Sequence, residues 1–330
     1  MIRPCQVQMQ LPNAKCRSGS LDESGKLYAN LAVGVDVTEG PAERGGGPTV
    51  RRMLVGAQLR RLRSEAGLSR EQAGEAIRAS EWKIHRLENG QVGFKERDVV
   101  DLLGLYGVTD QQEVAAFVTI ALEANTPGWW FQYSDILPQW FRAYVDLESA
   151  ATLIRSYEGQ LVPGLLQTED YMRAVIRGAH VGQAPDETER EVERRVRLRL
   201  TRQTLLTRPD APMLWAVVDE AALRRPVGGT EVMRAQLERL IDATKLPNVT
   251  LQVLPLTVAV HSAMTGAFSI LRFPDEELPD AVYLEHLTSA LYLNKREEVD
   301  QYLHVMDNIS TRAASPDKTV DILHKILTES

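Results

Sequence analysis

The charged and aromatic side chains between residues 81 and 86 are the ones whose types and spacing best suit specific chemistry. Helical spacing turns Ile84 and Leu87 inward, toward a core. The residues left on the outward face are Glu81, Trp82, Lys83, His85 and Arg86. An arginine offers paired hydrogen-bond donors, a carboxylate accepts hydrogen bonds, and a lysine supplies a mobile positive charge. We therefore expect this face to hydrogen-bond to a polar partner.

Two short helical patterns joined by a tight break position this face, within residues 68–90. Ser69 is suited to cap the first helix, with Gln72 as its reciprocal partner, and Ser80 is suited to cap the second. A close helix crossing needs small side chains, and the first helix provides two of them: Ala73 and Gly74. Asn89-Gly90 ends the second helix because both residues tolerate the left-handed conformation. This layout is typical of a helix-turn-helix, which presents its second helix to the DNA major groove.

The pattern from Leu68 to Gly90 resembles the helix-turn-helix of the XRE family, which includes the phage Cro and repressor proteins. The resemblance implies that the base-reading positions are Glu81, Trp82, Lys83 and Arg86. An arginine there would read guanine, a glutamate would accept from cytosine, and the lysine would serve a guanine or a phosphate. The tryptophan is unusual in a groove, and packing on the sugar-phosphate wall or on a neighbouring domain is the alternative.

The same resemblance implies phosphate contacts on either side of the second helix. Arg70 stands where the family usually has a glutamine that contacts a phosphate and braces the recognition helix. An arginine there keeps the phosphate contact, and its bracing role is left open. Lys95 and Arg97 fall where the family's loop touches the DNA backbone, so we expect Lys95 to contact a phosphate.

Charge supports this interpretation locally. Residues 49–108 carry an excess of three positive charges, although the whole chain has a formal net charge of −7. Five arginines precede Glu65, the first acid of the first helix: Arg51, Arg52, Arg60, Arg61 and Arg63. In an acidic protein with one basic module, electrostatic attraction to a polyanion such as DNA acts through that module. The alternative is a solvated basic face on an ordinary helical bundle.

Length and composition predict a globular protein of two domains, since the chain has 330 residues, 44% hydrophobic and 25% charged. No apolar run is long enough for a membrane span, and Arg3 is not followed by the apolar core of a signal peptide. Cys5 and Cys16 are too few for a disulfide framework and lack a histidine partner for zinc. We expect a cytoplasmic protein, associated with the nucleoid when bound to DNA, without metal or cofactor.

Composition shifts divide the chain into three parts. Residues 1–48 lack a sustained hydrophobic periodicity and end in a glycine- and proline-rich run. This predicts a disordered leader, and the alternative is a start codon assigned too far upstream. Residues 49–124 are predicted to form the helical DNA-binding domain, with later helices at 96–106 and 110–123 and a break at Gly107. Residues 125–330 are predicted to form an α+β domain for dimerisation and for binding a ligand or partner.

The α+β prediction rests on turn signals and β-branched runs that alternate irregularly with helical patterns. Strands are predicted at 213–218, 249–254, 267–273 and 281–285. Helices are predicted at 189–206, 231–244, 295–311 and 317–327, and Thr168 is suited to cap a further one. The first of these helices is rich in arginine, which indicates a solvated face, a second nucleic-acid surface or an anion site.

Aromatic side chains crowd the start of this domain, from residue 129 to 144. Such a concentration has three interpretations: the side chains line a pocket, anchor an interface, or cover an ordinary core. Gly128-Trp129-Trp130, Tyr157-Glu158, the segment 161–171 and the segment 219–225 resemble the C-terminal domain of an actinobacterial group of XRE regulators. The resemblance implies a domain of poorly defined function and a small protein partner encoded nearby, as in toxin–antitoxin-like regulators. The candidate ligand or partner residues are Trp129, Trp130, Tyr133, Tyr157 and Glu158.

Patterns for catalysis are weak. Asp219-Glu220 is more typical of a helix start than of a catalytic pair, and neither His261 nor His286 shows metal-ligand spacing. The chain lacks a nucleophile elbow and a phosphate-binding glycine loop. We therefore expect a transcriptional regulator, and not an enzyme, that binds an inverted repeat in double-stranded DNA as a homodimer. The alternative is an antitoxin-like protein that sequesters a small partner and binds DNA for autoregulation.

Overall fold

The computed structural model describes residues 48–179, 185–275 and 278–329. Residues 1–47 of the predicted leader, which include Cys5 and Cys16, lie outside the described residues. Helices come first and a mixed sheet with further helices follows. The predicted combination of a helical N-terminal part with an α+β C-terminal part is therefore confirmed.

Helices enclose a hydrophobic cluster in the first part of the described chain. They are α1 (Pro48–Glu65), α2 (Arg70–Ala76), α3 (Glu81–Glu88), α4 (Glu96–Leu105) and α5 (Gln111–Glu123). Their buried side chains, which run in sequence from Val55 to Ala124, form what we call the N-terminal cluster. The predicted helices 96–106 and 110–123 match α4 and α5 to within one residue. Gly107 makes the predicted break, with a φ of 88° that favours glycine.

One sheet organises the second part of the chain. Its strands, counted over the described residues, are β1 (Leu153–Glu158), β2 (Met213–Asp219), β3 (Val249–Leu254), β4 (Phe268–Arg272), β5 (Ala281–Glu285) and β6 (Ala290–Leu293). Their order is β3-β2-β1-β4-β5-β6. The first three run parallel to one another, and β4, β5 and β6 extend the sheet in antiparallel pairs. The four predicted strands are confirmed to within one residue at each end.

Helices cover this sheet. They are α6 (Gln139–Ala150), α7 (Glu169–Ala179), α8 (Pro185–Gln203), α9 (Glu220–Arg224), α10 (Thr230–Ala243), α11 (Arg296–Arg312) and α12 (Pro316–Glu329). The predicted helices appear as α8, α10, α11 and α12, and Thr168 caps α7 as expected. Strands β1 and β6 and helices α6 and α9 were not predicted.

The two faces of the sheet bury different sets of side chains. Ile154 of β1 faces a large core that includes residues of α6, α10 and α12, which we call the C-terminal cluster. Tyr157 points to the opposite face and packs with Met306 and Ile309 of α11. Alternation along β1 therefore also puts Ser156 and Glu158 on the α6 side of the sheet.

Helix α1 belongs to both halves of the described chain. Its first turns contribute Val50 to the C-terminal cluster, with Met53 and Leu54 packed against it. Its next turns contribute Val55 and Leu59 to the N-terminal cluster. Helix α1 therefore packs in both hydrophobic clusters.

Candidate nucleic-acid interface

Helices α2 and α3 begin with the caps expected from the sequence. The Ser69 hydroxyl accepts a hydrogen bond from the backbone N–H of Gln72 at 3.1 Å, and the Gln72 side chain accepts one from the backbone N–H of Ser69 at 2.8 Å. The Ser80 hydroxyl accepts one from the backbone N–H of Lys83 at 3.4 Å. Both predicted caps are confirmed, and they fix the start of the recognition helix α3.

Backbone contacts set the crossing of these helices. A Cβ atom on Gly74 would lie 2.7 Å from the carbonyl oxygen of Ala79, so the small residue predicted there is required. Ala73, Ile84 and Leu87 are fully or almost fully buried in the N-terminal cluster. The turn between the helices contains Arg78, whose φ of 53° is left-handed. No sequence signal marked that position, because an arginine rarely adopts this conformation.

The outward face of α3 is open to solvent. Glu81 and Arg86 are exposed, and 71% of Trp82 is exposed. The indole touches His85 edge-on with 5.3 Å between ring centroids. Arg86 forms no side-chain hydrogen bond or ion pair within the described residues. Its guanidinium is therefore available for an external acceptor.

Lys83 has an internal partner. Its ammonium nitrogen lies 2.5 Å from Oδ2 of Asp98 on α4, and the carboxylate is largely shielded from solvent. A contact with a base or a phosphate must compete with this ion pair. The structure thus distinguishes Lys83 from Arg86, although the sequence analysis placed both among the base-reading positions.

Arg70 braces the end of the recognition helix. Its Nε donates to Oε2 of Glu88 at 2.9 Å, and Nε of Arg63 donates to Oε1 of the same carboxylate at 2.5 Å. The Glu88 side chain is 2% exposed, and its hydrogen bond to Arg63 raises the pKa of that guanidinium. The sequence analysis left the bracing role of Arg70 open and did not single out the contact between Arg63 and Glu88. These partners are 25 residues apart, and local patterns carry no signal for such a pair.

Lys95 lies at the N-cap of α4 and is exposed, as is Arg97 nearby. The described positive side chains beside α3 that face solvent at least partly therefore include Arg70, Lys95 and Arg97. Their role as phosphate contacts stays a prediction.

The structure gathers three of the candidate ligand or partner residues in one cluster and places Tyr157 in another. Trp130 is buried in a small cluster with Val145 and Leu198, and Trp129 and Tyr133 pack against it. Its indole N–H donates to Oδ1 of Asp146 at 2.5 Å. Trp129, Trp130 and Tyr133 therefore act as packing around one buried carboxylate rather than as the wall of an open pocket.

Asp146 connects the two halves of the described chain. It is 1% exposed, and its Oδ2 accepts hydrogen bonds from the hydroxyl of Thr49 at 2.7 Å and from the backbone N–H of Thr49 at 3.3 Å. Burial raises the pKa of this carboxyl. One side chain of α6 thus holds both the aromatic cluster, through Trp130, and the start of α1.

Tyr157 and Glu158 separate to opposite faces of β1. The Tyr157 hydroxyl lies 3.5 Å from Oδ2 of Asp219 and 3.4 Å from Nε2 of His261, on the α11 side. Glu158 is on the α6 side and forms no hydrogen bond or ion pair with the described residues. These two candidates cannot contact one small ligand together.

Two family models match the chain. A helix-turn-helix domain matches residues 54–117. A domain of unknown function (DUF5753) matches residues 141–325, which is more than half of the chain. The chain belongs to the DUF5753 family. The resemblance to a helix-turn-helix regulator with a C-terminal domain of undefined function is confirmed, and the first match indicates DNA binding.

Neither a curated protein nor a solved structure matches the chain. Across the described residues, no helix has the length and apolarity to cross a membrane. Over the same ranges, no group of three or more histidine, cysteine and carboxylate side chains is gathered as metal ligands would be.

Proposed function

We propose that this protein is a sequence-specific transcriptional regulator that inserts α3 into the major groove of an inverted-repeat operator. The main support for this proposal is the geometry of the capped helix α3. The helix buries Ile84 and Leu87 and exposes Glu81, Trp82 and Arg86. An unpartnered arginine late in the helix suits the paired acceptors of guanine, and an exposed glutamate suits the amino group of cytosine. Arg70 and Lys95 would contact phosphates.

A homodimer follows from this mode of binding. A monomer reads one half-site, whereas two recognition helices about 34 Å apart read successive major grooves on one side of DNA. We propose that residues 125–330 dimerise and set this spacing, and that residues 49–124 act as the DNA-binding domain. A regulatory ligand or partner would then act by changing the spacing.

The contacts of α1 supply a route for that control. A Cβ atom on Gly56 would lie 2.5 Å from the carbonyl oxygen of Leu87, and one on Gly90 would lie 2.5 Å from the backbone nitrogen of Met53. The backbones of α1 and the end of α3 are therefore in direct contact. Because Asp146 holds the start of α1, a movement of α6 would shift the recognition helix.

Selection of bound fragments from the host genome tests the proposal. The wild-type protein is expected to enrich an inverted repeat whose half-site centres lie about 10 base pairs apart. Absence of any enriched sequence would contradict the proposed regulator.

Sequestration of a small protein partner is the second candidate. Leu287 is 97% exposed at the turn between β5 and β6, and Leu291 on β6 is exposed beside it. Apolar side chains at a sheet edge favour contact with another chain. Purification from the native host separates the candidates, since a stoichiometric small protein supports sequestration and a homodimer alone supports the regulator.

A further inference from the structure

A row of polar side chains crosses the buried face of the sheet below α6. Ser156 of β1 lies directly opposite Ser269 of β4 in the antiparallel register, and Ser269 lies opposite Tyr283 of β5. Glu158 follows two residues after Ser156 on the same face. Polar groups inside a sheet face need partners, so this row requires an explanation.

A narrow cleft, partly open to solvent, lies over this row. Its lining comes from β1, β2, β4, α6, α8 and the segment before α7, and includes Tyr144, Glu148, Ser156, Glu158, Gly164 and Arg202. Among the lining residues, Glu158 and Gly164 keep partial exposure and the others are buried. The mouth of the cleft is therefore beside the Glu158 carboxylate.

The charges inside the cleft are unevenly matched. Arg202 donates to both carboxylate oxygens of Glu148 at 2.9 and 2.7 Å, and this buried pair neutralises itself. Glu158 makes no such pair among the described residues. Burial raises its pKa to about 7, and the negative charge of Glu285 on β5 adds to the shift. Glu285 in turn is attracted to Arg199, so the uncompensated charge is that of Glu158.

Ser156 gives an independent indication of a missing partner. It is 5% exposed, and its hydroxyl oxygen is buried without a hydrogen-bond partner in the described structure. An unsatisfied buried hydroxyl is unfavourable unless a water or a ligand supplies the partner. Ser156 lines the same cleft as Glu158 and precedes it by two residues on β1.

We propose that this cleft binds a small molecule carrying a protonated amine, with Glu158 as its counter-charge and the Ser156 hydroxyl as a hydrogen-bond acceptor. The ammonium group supplies both the positive charge and the donors that these side chains lack. The apolar part of the molecule would lie against Ile154 and Leu214, which are buried residues of the cleft lining. The narrow space restricts the ligand to a small one.

The position of α6 connects this cleft to the DNA-binding half, and this regulatory step rests on the proposed function. Tyr144 and Glu148 line the cleft from one side of α6. Asp146 lies between them in sequence and binds Thr49 at the start of α1. An amine that shifts α6 would therefore change the DNA affinity of the protein.

Titration of the full-length protein with short linear amines tests the binding step. Methylammonium to butylammonium chloride are added at pH 8, where Glu158 is ionised, with sodium chloride at equal ionic strength and butanol as references. Calorimetry and thermal unfolding are expected to show saturable binding of at least one amine by the wild type. Glu158→Gln is expected to weaken it by about tenfold or more.

Controls keep the outcome decisive. Glu238→Gln changes an exposed carboxylate on α10, and we expect it to bind the amine as the wild type does. Ser156→Ala provides a second cleft variant should Glu158→Gln fail to fold. The inference is overturned when no amine binds the wild type, or when both cleft variants bind as tightly as the wild type. DNA binding without amine is measured separately, so loss of the regulator proposal is distinguishable from loss of the amine site.

Discussion

At the last turn of the recognition helix, Glu88 is buried between Arg63 and Arg70. Replacing Glu88 with alanine leaves the Arg63 guanidinium, which is 11% exposed, without its counter-charge. Breaking a buried ion pair from one side costs about 3–5 kcal/mol. We therefore expect Glu88→Ala to lower the free energy of unfolding by this amount in urea titrations.

The exposed pair of Arg97 and Asp101 gives the matched comparison, with 3.7 Å between Nε and Oδ2. Asp101→Ala is expected to cost less than about 1 kcal/mol, because water screens this pair. Equal losses for the two variants would show that the buried pair has no special role.

Glu158 makes stability depend on pH in a defined direction. Its pKa is raised from 4.5 to about 7 in the folded protein, mainly by burial. Between these two pH values the Glu158 carboxyl is ionised in the unfolded chain but still protonated in the folded protein. The folded state therefore becomes less stable as the pH rises. Glu158→Gln removes this dependence, and we expect the variant to be more stable than the wild type at pH 8 by up to about 3 kcal/mol. Denaturant titrations from pH 4 to 8 measure it, and parallel curves for both proteins would refute the assignment.

At the scale of elements, Gly56 lets α1 approach α3. Alanine at this position would place its Cβ atom 2.5 Å from the Leu87 carbonyl oxygen, so a backbone must move. We expect Gly56→Ala to cost about 1–3 kcal/mol of stability and to weaken DNA binding.

Gly104 of α4 provides the control, since nothing lies within 4 Å of its added Cβ atom. Gly104→Ala is expected to be neutral or to stabilise the helix by up to about 1 kcal/mol. Similar effects at the two glycines would mean that the approach of α1 to α3 is not required.

The elements also show where sequence patterns are informative. The caps at Ser69 and Ser80 and the strand at 249–254 were predictable because each signal is local. Strand β1 was missed because it carries the polar Ser156 and Glu158 on one buried face and Arg155 on the other, which hides the alternation of apolar residues. The partners of Glu88 and Asp146 come from distant segments, so the fold alone reveals them.

For the whole molecule, the shared helix α1 predicts that both halves unfold together. Asp146→Ala removes the acceptor for Thr49 and for the Trp130 indole. We expect calorimetry to show a single transition for the wild type and two separated transitions for Asp146→Ala. Asp242→Ala changes an exposed carboxylate on α10 and should keep the single transition. A single, unshifted transition in Asp146→Ala would exclude this residue as the connection.

The most direct test of the regulator proposal compares the wild type, Arg86→Ala and Arg296→Ala on the selected operator and on a scrambled duplex, by fluorescence anisotropy. Arg296 is 94% exposed at the start of α11, far along the chain from α3. Arg86→Ala is expected to lose about 1–3 kcal/mol on the operator and little on the scrambled duplex, whereas Arg296→Ala matches the wild type. Equal losses for Arg86→Ala on both duplexes would contradict base reading by the exposed face of α3.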